Sequence, residues 1–195
     1  MNFRNHGLGF KLEELFPYKT LERIHKLISK KLNTHYSYRC EIFRTHAEKI
    51  ALAKIRKATK LKCFTSFWIG HRNIDIFFPQ IGNGLAIEID GPIHNTQKVM
   101  KRDNSKFEIL NSMGIEMVTI ENQDLDHPIV NSLIQHLNKL DIKDTRSRRR
   151  VLTKIYLNTI LAHFNKIDIS QELTPEAIQA LPRLRNYFLN NRNSF

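Results

Sequence analysis

Residues 73–94, NIDIFFPQIGNGLAIEIDGPIH, constrain the fold more than any other stretch of the chain. Asn83-Gly84 stands between two apolar runs. An Asn-Gly step in that setting is a strong hairpin signal, because a two-residue type I′ turn needs φ > 0 at both positions. With Asn83-Gly84 in the turn, Gly82 faces Leu85. Side chains alternate along a strand. One face then carries Ile74, Ile76, Phe78, Leu85, Ile87 and Ile89, interrupted by Gln80, and the other carries Asp75, Phe77, Glu88 and Asp90. In this register Asp75 lies diagonal to Asp90, roughly 7–8 Å away. A slip of one residue would misalign both apolar rows. Pro79 lacks an N–H and marks an edge strand or a bulge.

Asp and Glu are disfavoured in strands. Three of them at one end of an apolar hairpin point to hard oxygen ligands for Mg²⁺ or Mn²⁺ facing an anion. A merely solvated strand face is the other reading, and Asp90-Gly91-Pro92 also reads as a turn in which Asp90 bonds backbone. The chain around these acids is basic, with 31 Lys and Arg against 19 Asp and Glu and a formal charge of +12. That balance favours a polyanionic partner, nucleic acid before an anionic membrane surface. No apolar run approaches the ~20 residues that span a bilayer. The start of the chain has no signal-peptide apolar core. Cys40 and Cys63 form neither a disulfide framework nor a zinc motif. A reducing compartment follows as the expectation: the cytoplasm, with an organellar matrix also open.

Periodicity predicts helices over 20–32 and 45–59, a strand over 61–69, and a helix over 96–113 with Val99, Phe107 and Leu110 inward. A strand over 115–120 follows. Asp126 is the expected cap of a helix begun at Pro128. Residues 144–150, DTRSRRR, read as a linker or exposed edge, before helices at about 151–165 and 174–190, the latter kinked or interrupted at Pro182. The expected fold class is α/β, a small mixed sheet flanked by helices, with helical N- and C-terminal additions. The expected division is a helical extension over 1–44, a core over 45–142 and a basic helical tail over 143–195.

This order, with Asp75 on one strand of the hairpin and Glu88-Ile89-Asp90 on the other, resembles the PD-(D/E)XK nuclease superfamily. Within it, Glu88-Ile89-Asp90-Gly91-Pro92-Ile93-His94 is most similar to the RAP domain, an RNA-associated module. The very-short-patch-repair-like endonuclease domains are close behind. The resemblance covers roughly residues 45–125. It implies a restriction-endonuclease-like core in which Asp75, Glu88 and the Ile89 carbonyl hold Mg²⁺ or Mn²⁺. It also implies that Asp90 joins them or orients water, that His94 moves a proton or bonds the phosphate, that Asp103 holds His94, and that Glu48 stands behind the site.

The chain departs from the family where Asp90 replaces its lysine, and Lys98, Lys101 or Lys106 of the next helix is the expected substitute cation. Lys57, Lys60, Lys62, His71, Arg72, Lys98, Lys101, Arg102 and Lys106 are the expected phosphate contacts, extended by Arg146, Arg148, Arg149 and Arg150. Trp68 and Phe67 are candidates for base stacking, with at least one expected in the core. The expectation is a metal-dependent nuclease-like protein acting on nucleic acid, with RNA favoured by the RAP likeness. The alternatives are a RAP-type RNA-binding module that cuts nothing and a DNA endonuclease. A further reading is a basic scaffold whose terminal helices bind a protein partner.

Overall fold

A computed structural model of the chain describes residues 12–32, 45–59, 61–91, 97–137 and 144–190, with the backbone alone at 97–104, 129, 134 and 188. The elements run α1 (Leu12–Leu15), α2 (Tyr18–Leu32), α3 (His46–Ala58), β1 (Phe64–Ile69), β2 (Arg72–Phe78), β3 (Leu85–Asp90), α4 (Gln97–Ser112), β4 (Glu116–Glu121), α5 (Pro128–Leu137), α6 (Thr145–His163) and α7 (Pro175–Asn190). The four strands form one sheet in the order β1-β2-β3-β4. β1/β2 and β2/β3 are antiparallel, whereas β3/β4 is parallel. A parallel pair needs a crossover, and α4 is that crossover. The mixed α/β class expected from the sequence is what the chain adopts.

Both faces of the sheet are buried. On one, Phe67, Ile74, Phe77 and Ala86 join α1, α2, α6 and α7 in a single apolar cluster. On the other, Ile76, Phe78, Leu85 and Ile87 pack with Ala51 and Ile55 of α3 and Val130 and Leu137 of α5. Each wholly buried Ile or Phe contributes about 1.5–3 kcal/mol. The helices before and after the expected core therefore share the sheet's own core rather than standing apart from it. The boundaries expected at 44/45 and 142/143 fall outside the described residues.

Buried polar groups fasten α2 and α6 to β1. His25 Nε2 lies 2.8 Å from the Trp68 carbonyl. Thr159 Oγ1 donates to the Ile155 carbonyl and accepts the Gly70 N–H, and His163 Nε2 lies 3.1 Å from the Gly70 carbonyl. Burial holds the His25 pKa down at about 4, so the ring stays neutral and donates to that carbonyl.

Three local expectations are corrected. Residues 144–150 are not a linker but the start of α6, because Asp144 caps it by accepting the Ser147 N–H at 2.7 Å. The Asp126 carboxylate, at the approach to α5, takes Lys54 Nζ at 2.6 Å. Phe107 points outward, 53% exposed, while Leu110 of the same helix is buried. α7 is not interrupted at Pro182 but runs on through it.

The hairpin turn is corrected as well. Phe78 pairs with Leu85, so the connection spans residues 79–84 instead of two. Pro79 cannot extend the ladder, Ile81 is drawn into the core, and Gln80 Nε2 donates to the Lys62 carbonyl at 2.7 Å. The tight turn closes from the Gly84 N–H to the Ile81 carbonyl at 2.7 Å. Gly84 has φ +114, and a Cβ there would stand 2.9 Å from the buried Phe77 ring. Gly82, at φ +52, has open space around it. Gly84→Ala is expected to cost about 3 kcal/mol, from backbone strain plus overpacking, and Gly82→Ala about 1 kcal/mol from strain alone. Urea unfolding of the two variants measures the difference.

Candidate functional site

The acidic site arises from a break in strand alternation. Phe64 and Phe67 are three residues apart, yet their rings stack at 4.7 Å. Across from them, Ile74 and Phe77 are also three apart and share the same cluster. A regular strand would put each pair on opposite faces. Ser66 breaks the rule in β1 with φ +48, the one non-glycine residue of positive φ among those described. Between the Thr65–Ile76 and Phe67–Ile74 pairs, Ser66 and Asp75 face each other without a ladder pairing of their own. Such a conformation costs on the order of 1–3 kcal/mol.

At this point β2 leaves β3. Their ladder ends at Ile76–Ile87, whereas β3 stays paired with β4 as far as Asp90–Glu121. The Ile89 N–H has lost its β2 backbone partner and donates to Asp75 Oδ2 at 2.9 Å. The N–H and C=O of one strand residue point to the same side, so the Ile89 carbonyl faces the same gap. Continuing the register sets Asp75 across from Glu88, not diagonal to Asp90 as the short turn would have it. The shift is four residues, an even number, so from Ile76 onward the apolar side chains keep their expected faces, while the break at Ser66 and Asp75 carries Ile74 over to the face of Phe77.

Glu88 is the buried member of the site, at 4% exposure. Lys106 Nζ, from α4, donates to its Oε2 at 2.5 Å. Both side chains of this ion pair are largely out of water. Oε1 is buried and meets no hydrogen-bond donor, although the Asp75 carboxyl is within hydrogen-bonding range of Glu88. Two carboxylates cannot bond each other without a proton or a cation between them. Burial, and then the Asp75 charge, push the Glu88 pKa up to about 8 against the pull of Lys106.

The other expected site residues fall into distinct places. Asp90 stands across from Glu121 at the end of β3. Among the described residues no group of three or more His, Cys, Asp or Glu side chains comes together, so the expected trio of acids is a pair. Glu48 belongs to the cap of α3: its N–H donates to the Thr45 hydroxyl oxygen at 3.2 Å, and that hydroxyl donates to the Glu48 carboxylate at 3.0 Å. His94 and Lys60 lie outside the described residues, and so do the side chains of Lys98, Lys101, Arg102 and Asp103 on α4. Lys106, the candidate substitute lysine whose side chain is described, meets Glu88.

Lys57 and Lys62 are exposed, and Arg72 is half-buried with an Nε that meets no partner. Phe67 lies in the core, and Trp68 is half-buried with its ring edge-on to His163. Arg148, Arg149 and Arg150 sit on the first turns of α6, with Arg149 over the Tyr18 ring at 5.4 Å. That end of α6 meets the 79–84 turn, beyond the three ladder pairs that separate it from Asp75 and Glu88. The switch at Ser66 escaped the sequence reading, although the three-residue spacing of Phe64/Phe67 and Ile74/Phe77 is its signal.

The shifts of Glu88 and His25 predict a pH dependence of stability. Glu88 binds its proton more tightly folded than unfolded, so the stability linked to it falls as pH rises from about 4.5 to about 8. His25 acts oppositely: its contribution is complete above 6.5 and is lost as pH falls toward 4. Between pH 6.5 and 8 the Glu88 effect stands alone. Wild-type stability is expected to fall there by up to about 1.4 kcal/mol per pH unit, while Glu88→Gln stays flat. Urea midpoints at pH 6.5, 7.3 and 8 measure both slopes.

Compared with protein-family models, curated proteins and solved structures, the chain matches none.

Proposed function

We propose that this chain is a PD-(D/E)XK-like nuclease that hydrolyses phosphodiester bonds in nucleic acid with the help of Mg²⁺ or Mn²⁺. The observation that carries the reading is the buried Glu88 Oε1, which meets no donor while lying beside the Asp75 carboxyl. A buried acceptor left without a partner costs about 1–3 kcal/mol, and a hard cation is the ligand that two such oxygens fit. Asp75, Glu88 and the Ile89 carbonyl would hold it. Bound there, the ion would supply positive charge to the scissile phosphate and acidify a water.

The residues of the chain do the rest. The Ile89 N–H fixes one Asp75 oxygen and so sets the plane of that carboxylate. Lys106 anchors Glu88 and brings to the site the cation that the family places two residues after its Glu. His94 is the proposed proton carrier, Asp103 its support, and Asp90 an aid in orienting water. Lys57, Lys62 and Arg72, with Lys60, Lys101 and Arg102 of the same segments, provide phosphate contacts. RNA before DNA rests on the RAP-like Asp90-Gly91-Pro92-x-His94 segment alone. No described helix is long and apolar enough to cross a membrane. A protein partner at the helical ends is favoured by Ile178 and Leu189 of α7, 38% and 47% exposed.

A second reading, an RNA-binding module without cleavage, is favoured by the acids forming a pair and by Lys106 already occupying one Glu88 oxygen. Labelled single- and double-stranded RNA and DNA, incubated with Mg²⁺, Mn²⁺ or EDTA, separate the two. The nuclease reading expects metal-dependent cutting that Asp75→Asn and Glu88→Gln each slow at least a hundredfold. Salt-sensitive binding with no cutting under either metal would establish the binding module instead.

A further inference from the structure

At the end of the sheet away from Asp75 and Glu88, a cleft of about 210 Å³ opens between α6 and the turns beneath it. Ser147, Arg150 and Lys154 follow one another at i, i+3 and i+7 along α6 and form one wall. Asn83, from the connection between β2 and β3, faces them, and the half-buried Met113 and Val151 add apolar surface over the buried Ile115 and Ile155. No Asp or Glu lines the cleft. Among the described residues neither Arg150 nor Lys154 enters an ion pair. Two like charges one helical turn apart repel by a few tenths of a kcal/mol. Here they do so over a concave surface that offers no counter-charge.

We infer that this cleft binds a nucleotide, with its phosphate on Arg150 and Lys154 and its sugar or base on Met113 and Val151. The composition of the walls selects that chemistry. Guanidinium and ammonium groups one turn apart suit the several oxygens of a phosphate. Ser147 and Asn83 add hydroxyl and amide groups at the rim. A bare phosphate would satisfy the cations and leave the apolar surface of Met113 and Val151 uncovered, whereas a nucleotide answers both. The site is separate from the carboxylate pair and does not rest on the nuclease reading. A free mononucleotide and one residue of a longer strand present the same chemistry.

Calorimetric titration of the full chain with inorganic phosphate, AMP, UMP and a trinucleotide lacking terminal phosphates tests this. Arg150→Gln/Lys154→Gln removes the charge while keeping good helix formers, and Ser147→Tyr fills the cleft while keeping both cations; circular dichroism checks that each is folded. The expected result is that a mononucleotide or the trinucleotide binds at least tenfold more tightly than phosphate. Whichever of the two binds more tightly identifies the source. Both variants are expected to lose at least tenfold, and Asp75→Asn to bind as wild type does. Nucleotide binding no tighter than phosphate, or binding unchanged in both variants, would overturn the inference. So would loss in Asp75→Asn with the cleft variants intact, which would assign the nucleotide to the carboxylate pair.

Discussion

The hydrogen bond from the Ile89 N–H to Asp75 is the contact on which the site depends. It exists because β2 and β3 separate beyond Ile76–Ile87 while β3 remains held by β4. A backbone donor left in that gap needs an acceptor, and Asp75 supplies one from a side chain. The same bond brings the Asp75 carboxyl up to Glu88. The backbone distortion that makes room for it is shared across two strands, at Ser66 in β1 and at Asp75 in β2.

Strain of that kind persists only where the surroundings enforce it. On the β1 side the enforcement is visible. Phe64, Phe67 and Phe77 stack in a row, and His25 packs on Phe67 and Tyr156 while bonding the Trp68 carbonyl. Thr159 and His163 of α6 hold Gly70 at the turn into β2. Helices far away in sequence thus set the ends of the strands that carry the acids. On the other side, α4 delivers Lys106 to Glu88. A carboxylate buried to this degree is tolerable only when paired or protonated, and Lys106 pairs one oxygen and leaves the other.

Much of this was legible in the sequence. The two faces of the hairpin were from Ile76 onward, because the true register differs from the simplest one by four residues and an even shift keeps those side chains on their faces, but the crossing of Ile74 to the face of Phe77 was not. The register itself was not. Asn83-Gly84 is a strong local signal, but burial of Ile81 and the close approach of Gly84 to Phe77 outweighed it. The pairing of Asp75 with Glu88, rather than with Asp90, followed from that same shift. The start of α6 carried its signal in Asp144 and Ser147, three residues apart, which the run of arginines obscured. That Lys106, among the lysines of α4, meets Glu88 depends on how that helix lies on the sheet, which periodicity does not specify.

The central claim is that Asp75 and Glu88 form one seat for a divalent cation. Calorimetric titration of the chain with Mn²⁺ near pH 7, repeated in two buffers of different ionisation heat, tests it most directly. A carboxyl that titrates near 8 must give up its proton to take a cation. The account predicts a single Mn²⁺ site with proton release to the buffer, tightening toward pH 8 and lost in both Asp75→Asn and Glu88→Gln. Absence of Mn²⁺ binding in the wild type, or equal binding in the two variants, would contradict it.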